Sequence, residues 1–291
     1  MHRNLVVDVN NLVFALRHAK LPKTSKTNQR FVKETLFVDS LSSIFRHCKL
    51  LKTHAIVLMR DSPNIWRRDI YQDYKANHTS SLDDPFHKDA IEAADMLVDF
   101  FERYTSSWVF SYPRAEADDL IAIWCQKSNV ENVILSSDKD FIQLLTSPNV
   151  TLYSPTQDTF RTTPDAGFSL FVKCIRGDAG DNVRSAYPRV RESVLKRAWD
   201  DDLEMLNLVE TVRPDGVRVY DALSLNIQLI DLSAQPDQLR RGIESMFLSG
   251  KSGKYNYVAA LRFFSDHGLK ERLDVVDSGS TFMAKTPKFL Q

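Results

Sequence analysis

Residues 116–140 constrain this chain more than any other stretch. Glu116-Ala-Asp118-Asp119-Leu-Ile-Ala leads into an apolar helical run, which gives way to Asn132-Val-Ile-Leu-Ser-Ser-Asp138-Lys-Asp140. Val133 to Leu135 read as a short buried strand with two carboxylates just past its C-terminal end. In open α/β sheets that edge is where ligands bind. The other half places three carboxylates within four residues at the start of a helix. Acids suit a helix N-terminus because of its dipole and free N–H groups, and capping explains either piece taken alone. Together they carry more negative charge than capping needs. Carboxylates packed this closely repel, and some stay protonated unless a cation sits among them. The combination points to an all-oxygen divalent site of the Mg²⁺ type.

Upstream, Asn4-Leu-Val-Val-Asp8-Val-Asn10-Asn11 reads as a buried parallel strand ending in a carboxylate. Its D-x-N pattern is not the D-x-D of a haloacid-type phosphatase. The spacing of Phe37, Leu41, Ile44, Phe45 and Cys48 predicts a core-facing helix over 31–48. A strand follows over Ala55–Met59, with Asp61 just beyond it. Ser62 to Asn77 is expected to be a helix with Ser62 as N-cap and Pro63 in its first turn. At about 100° per residue, Arg67, Arg68, Tyr71 and Lys75 share one narrow arc, with Trp66, Ile70 and Tyr74 beside it. Such a basic stripe interleaved with aromatics suits phosphates and a stacked base, although a solvated helix face accounts for the charges alone.

After a loop over 76–86, a helix is predicted from His87 to Tyr104, a strand over Trp108–Tyr112, and a last strand over Val150–Tyr153. Alternating strands and helices argue for an α/β fold, a central and mostly parallel sheet with helices on both faces. A helix over Pro164–Ile175 leads to Gly177-Asp178-Ala-Gly180-Asp181-Asn182, two more acids in a glycine-containing turn. Beyond it Arg184, Arg189, Arg191, Lys196 and Arg197 make a basic stretch, and the remainder reads as helical. A soft boundary near residue 184 divides the alternating strand-and-helix part, 1–184, from a helical remainder, 185–291.

Composition excludes more than it selects. The formal net charge is +0, so attraction to a polyanion must come from local asymmetry. Cys48, Cys125 and Cys174 form no CxxC pair and suit a reducing, cytosolic setting. No apolar run approaches the roughly 20 residues of a membrane span, and Asp8 breaks any signal-peptide pattern. There is no internal repeat. The histidines, among them His18, His54 and His267, lack zinc spacing. Gly250-Lys251-Ser252 lacks the earlier glycine of a phosphate-binding loop, and Asp138-Lys-Asp140 lacks the glycine and glutamate of an EF-hand.

Taken as an ordered set, Asp8, Asp61, Glu116-Ala-Asp118-Asp119, Ser136-Ser-Asp138-Lys-Asp140 and Gly177-Asp178 to Asp181-Asn182 resemble the 5′-nuclease (flap endonuclease) superfamily. Trp66-Arg-Arg-Asp69 and Tyr74-Lys75 add to the likeness, which spans residues 4 to about 185 and implies a catalytic domain, 1–184, with an arch-like helical segment at about 62–100, and a helical C-terminal DNA-binding domain, 185–291. The resemblance implies 5′→3′ nuclease action on RNA primers and DNA at duplex ends, nicks and flaps, with two Mg²⁺ ions that Mn²⁺ can replace. It implies an inner ligand group of Asp8, Asp61, Glu116 and Asp118, completed by Asp138 and Asp140, and an outer group of Asp119, Asp178 and Asp181. Lys75 matches the family's phosphate-contacting helix lysine, with Arg67 and Arg68 as further phosphoryl contacts. Tyr71, Tyr74, His78, Arg184, Arg189, Arg191 and Lys196 are the implied nucleic-acid contacts. In-line attack by metal-bound water would leave 5′-phosphate and 3′-hydroxyl ends.

There are three departures. His78 stands where an arginine is common. Arg184-Ser-Ala-Tyr-Pro-Arg-Val-Arg191 lacks the glycine turn of the family's helix–turn–helix. One member carries an N-terminal extension that binds a sliding clamp, whereas here the first strand lies close behind Met1. A clamp contact is then expected elsewhere, with the tail Thr281–Leu290 as a hydrophobic hook or, more simply, a disordered end. A single-stranded-DNA-binding protein is a further expected partner, and the protein is expected to be a monomer. Two other readings stay open: a branched-nucleic-acid binder with little chemistry, and a single-strand PIN-like ribonuclease.

Overall fold

The structure, a computed structural model, describes residues 2–20, 33–77, 85–250 and 253–290. Six strands form one sheet in the order β3-β2-β1-β4-β5-β6. They are β1 (Arg3–Asp8), β2 (Ala55–Met59), β3 (Trp108–Phe110), β4 (Glu131–Leu135), β5 (Val150–Ser154) and β6 (Thr159–Arg161). The first five are parallel, and β6 alone runs antiparallel, against β5. The expected last strand, β5, is therefore not the last. The chain turns back through Asp158, at φ 52°, to add a short edge strand.

The inner strands are apolar on both sides because both faces are covered. Leu5 and Val7 face a core built with α1 (Val9–Lys20), α2 (Lys33–Leu50) and α4 (Pro85–Tyr104). Val6 faces the opposite core, made with α5 (Ala117–Lys127). A third cluster lies apart from the sheet. It joins α6 (Ala166–Arg176) to α7 (Glu192–Asp200), α8 (Asp202–Glu210) and α9 (Val219–Ile230).

The boundary near residue 184 separates α7–α9 from the sheet, but the chain then returns to it. Ile243 and Phe247 of α10 (Asp237–Leu248) pack against the α5 face. Ala260, Phe263 and Phe264 of α11 (Tyr257–Asp266), with Val275, Val276 and Met283 of α12 (Asp274–Met283), pack against the α2 face. The tail, expected as a hook or a disordered end, is an internal staple. The buried Phe289 ring lies 4.6 Å from Trp124 and 5.5 Å from Phe247, and Asn4 Nδ2 donates to the Lys288 carbonyl at 2.7 Å. Burying such a ring stabilises by about 2 kcal/mol, which outweighs the freedom lost by a few terminal residues. Phe289 is thereby withdrawn from any partner surface.

The segment from 62 to 77 is not the continuous helix that its pattern suggests. Its only α-helix is the short α3 (Arg67–Ile70), followed by turns and a 3-10 stretch at 76–77. Ser62 does not cap a helix: its amide donates to the Ala115 carbonyl, and Trp66 N–H to Arg114, so 62–66 is pinned to the strand-exit loop. Tyr71 is extended, and Lys75 adopts φ 53°.

Candidate active site

The central strands β2, β1 and β4 are neighbours, so Asp61, Asp8 and Asp138 emerge side by side at the sheet's C-terminal edge. Asp8 Oδ1 accepts the Asn11 amide at 3.0 Å. Asp61 accepts from the Ala117 amide at 2.7 Å and from Asn10 Nδ2 at 2.6 Å, which ties β2 to the start of α5. Asp138 Oδ1 accepts the Asp140 amide at 2.9 Å. Glu116 caps α5 and Asp119 returns the bond, a reciprocal capping box. The acid triplet thus starts a helix, and that helix aims Asp118 at the strand ends.

Electrostatics define the cluster. Burial, together with Asp61 and Asp138, pushes Asp8 up to about 8. Burial, Asp138 and Asp8 push Asp118 well above the ordinary carboxylate range. Asp61 is also raised, by the protein walls around it. Asp140 rises to about 6 through burial and Asp138. Asp181 is raised by burial as well. Glu116 moves the other way: burial alone would raise it, but Lys75 and Arg67 hold it down. A chain of acids therefore runs from Glu116 through Asp118, Asp8 and Asp138 to Asp140 and Asp178, and its middle cannot be fully ionised without added positive charge.

Two lysines sit among these acids. Lys75 Nζ lies 2.5 Å from Glu116 Oε1 and 3.7 Å from Asp181 Oδ2. Lys173, from α6, bonds Asp140 and lies 2.8 Å from Asp178 Oδ2. Asp138, Asp140, Asp178 and Lys173 line a cleft of about 410 Å³. Lys173 was not singled out from the sequence. Its only signal is its place in the last helical turn before Gly177-Asp178. Gly177 is required there: at φ 72°, a Cβ would meet the Val183 carbonyl at 2.5 Å, across the bridge that closes the acid loop.

Several expected roles change. Arg67 does not face a phosphate. It is 1% exposed, forks onto Asp119 at 2.8 and 3.0 Å, reaches Glu116 at 2.7 Å and donates to the Leu229 carbonyl. Asp119, expected in the outer ligand group, is fully buried and saturated by Arg67, Trp66 Nε1 at 3.0 Å and the Glu116 amide. Tyr74 is buried too, its hydroxyl donating to Asp181 at 3.0 Å, so it is no stacking platform. Arg68 is exposed and donates to the Tyr74 carbonyl. The single turn of α3 is why the expected stripe dissolves: these side chains do not share an arc. Tyr71 lines a separate cavity of about 290 Å³ with Arg184 and Arg213. Arg184, Arg189, Arg191 and Lys196 are exposed around α7, with Lys196 paired to Asp200 at 2.5 Å. His78 lies outside the described residues.

Carboxylates alone are the donor set that a hard divalent cation selects, and burial with acidic neighbours raises Asp8 and Asp118. The chemistry of the residues fits such ions. Among the described residues, no group of three or more His, Cys, Asp or Glu side chains is arranged to hold a metal as it stands; the two lysines neutralise the ends of the cluster instead.

Known proteins resemble this chain in sequence and fold. The chain is 26% identical over 264 residues to ribonuclease H of Enterobacteria phage T4, covering 84% of this chain and 86% of that one. It is 29% identical over 159 residues to flap endonuclease Xni of Shewanella frigidimarina, 53% of this chain and 56% of the relative. Against DNA polymerase I of Rhizobium leguminosarum it is 25% identical over 263 residues, 82% of this chain but only 24% of the polymerase. The T5 5′-exonuclease bound to zinc shares its fold at a TM-score of 0.66 and 18% identity, over 85% of this chain and 99% of that one. Residues 3–169 match the family described as 5′-3′ exonuclease, N-terminal resolvase-like domain, and the chain belongs to that family.

Proposed function

We propose that the protein is a Mg²⁺-dependent 5′→3′ nuclease that hydrolyses phosphodiesters at 5′ ends and flaps of DNA and RNA–DNA duplexes, removing RNA primers during replication. The observation that carries this is the meeting of Asp8, Asp61 and Asp138 on three adjacent strand ends with Asp118 from a helix start and a lysine drawn in among them. Asp8, Asp61, Asp118, Asp138 and Asp140, with Asp178 and Asp181 beyond, would hold the ions. Two divalent ions, when bound, supply activation of the attacking water and charge relief on the leaving oxygen. The chain's own part is to gather acids that cannot share a site uncompensated and to bring a cation to the phosphate.

Lys75 is that cation. Burial alone would lower it, but Glu116 and its acidic neighbours hold it charged far above neutrality. It can exchange Glu116 for a phosphoryl oxygen at little cost, because Arg67 stays with Glu116. Arg184, Arg189 and Arg191 supply backbone contacts along the duplex. Their expected signature is binding that weakens steeply with salt.

The test is cleavage of a labelled duplex bearing a 5′ single-stranded flap, with Mg²⁺ and with chelator. Metal-dependent release from the 5′ side is the expected result. Tight binding without cleavage would replace this reading with that of a branched-nucleic-acid binder. Parallel substrates with RNA and DNA at the 5′ end decide whether primers are the preferred target.

A further inference from the structure

We propose that the turn over 73–77 and the acid loop over 177–182 are clasped into one unit, in which Asn77 and Asn182 are positioning residues that couple Lys75 to Asp181. The proposal deepens the nuclease reading and rests on it, since Lys75 is taken to meet the scissile phosphate.

The two segments lie about a hundred positions apart in sequence and are stitched together from both sides. Asn182 Nδ2 donates to the Asp73 carbonyl at 2.8 Å. Asn77 Nδ2 donates back to the Gly180 carbonyl at 2.8 Å and to Ala179 at 3.3 Å. Between these amides, the Lys75 N–H donates to the Asp181 carbonyl at 2.9 Å, and the Tyr74 hydroxyl to Asp181 Oδ2 at 3.0 Å. The two side-chain amides thus bracket one main-chain bond that joins the lysine to the acid.

Backbone conformation explains why such a bracket is needed. Lys75 sits at φ 53° and Asn182 at φ 61°. Asparagine visits that left-handed region readily, whereas lysine does not, so the Lys75 conformation must be imposed by its surroundings. The acid loop provides the fixed side: Gly177 and the Asp178–Val183 bridge close it, and Asp178 Oδ1 accepts the Gly180 amide at 2.8 Å. Lys75 is therefore not carried by a helix, as its sequence context suggests, but hung from the loop that bears Asp178 and Asp181. A displacement of Lys75 toward a phosphate pulls on that loop, and a rearrangement of its acids moves Lys75.

Asn182→Gly removes the amide while keeping the left-handed backbone accessible, and Asn77→Ala cuts the opposite stitch. Two readouts are taken in the full chain: amide hydrogen exchange of the segment spanning Lys75, and kcat and KM on a 5′-flapped duplex with Mg²⁺. Either variant is expected to speed exchange at this segment about tenfold and to lower kcat by about tenfold with KM little changed. In a Lys75→Ala background the same substitutions are expected to lower kcat by less than about twofold, the non-additivity of residues acting through one group. Unchanged exchange in both variants overturns the clasp. A tenfold loss that persists without Lys75 overturns its positioning role. Faster exchange in a chain that cleaves no flapped duplex overturns the catalytic coupling through the nuclease reading, not through the clasp.

Discussion

Two lysines stand at opposite ends of the carboxylate cluster, each between a pair of acids, and their surroundings differ. Lys75 and Lys173 are similarly sheltered, at 22% and 24% side-chain exposure. Glu116, the partner of Lys75, is also gripped by the buried Arg67 at 2.7 Å and approached by the Tyr74 hydroxyl. Asp140, the partner of Lys173, stays raised to about 6 even with the lysine in place, because burial and Asp138 oppose its charge. Withdrawing Lys75 therefore leaves its acid paired, whereas withdrawing Lys173 leaves Asp140 facing Asp138 and Asp178. In the proposed reading one lysine can be released to a substrate, whereas the other is part of the cluster's charge balance. A cation beside an acid is a candidate catalytic group only where the acid can spare it.

The largest effect belongs to the acids between them. Asp8→Asn should lower cleavage by about 10³-fold while making the protein more stable in chelator at pH 8. The sign follows from the raised folded value. Between about 4 and about 8 the folded state holds a proton at Asp8 that the unfolded chain has released, so stability falls as pH rises through that window. The variant should flatten this slope and gain about 2 kcal/mol or more at its upper end. Denaturant melts across that pH range check it, and an unchanged slope would place the repulsion elsewhere.

Arg67→Leu comes next, and it breaks the comparison outright. With Arg67 gone, Asp119 is buried without its ion pair and Glu116 depends on Lys75 alone. Unfolding free energy should fall by about 4 kcal/mol, read as a shift of the urea midpoint. Residual cleavage by the folded fraction should drop as well, because Lys75 is no longer free to leave. A variant as stable as the parent would show that the fork onto Asp119 contributes little.

The direct contrast is smaller. Lys75→Met should reduce kcat about 10²-fold, and Lys173→Met about tenfold or less. In titration calorimetry, Lys173→Met should tighten Mg²⁺ binding by about tenfold, since it removes a charge from the cleft lined by Asp138, Asp140 and Asp178. Lys75→Met should change it less. Equal losses of kcat, or looser binding in Lys173→Met, would erase the distinction.

How much of this was legible in the sequence depends on the range of the interaction. The strand ends were readable because Asp8, Asp61 and Asp138 follow short apolar runs, and the run length fixes where the edge falls. The turn at Gly177 was readable for the same local reason. Arg67 and Asp119 were misplaced because their pairing spans 52 positions, and nothing local distinguishes an arginine on a solvated stripe from one folded inward onto a capping acid. The expected helix over 62–77 failed because backbone bonds to Arg114 and Ala115, and from Lys75 to Asp181, outcompete it. The tail failed for want of a visible partner: nothing local shows that Phe289 packs on Trp124 and Phe247. Lys173 carried no sequence signal beyond its helix end.

The smallest effects lie away from both lysines, on the α7 side. Arg184, Arg189 and Arg191 are exposed, and Lys196 is half-committed to Asp200 and to the Phe168 ring at 5.4 Å. If the three arginines meet phosphates, replacing one should weaken binding to a flapped duplex by only about threefold at moderate salt, and should reduce the slope of log affinity against log salt by about one. The loss should be the same for RNA and DNA 5′ ends, because a backbone contact carries no base information. Lys196→Ala should change the slope less than Arg191→Ala, since its charge is already partly neutralised. Cleavage at saturating substrate should not change in either, because these residues touch neither the acids nor Lys75. A kcat effect from Arg191→Ala would mean that the duplex grip reaches the cleft through α6, whose last turn ends at Arg176, 2.9 Å from Glu192 at the start of α7. In that case Lys173, three residues earlier on the same helix, would be a relay and no longer a counter-charge alone.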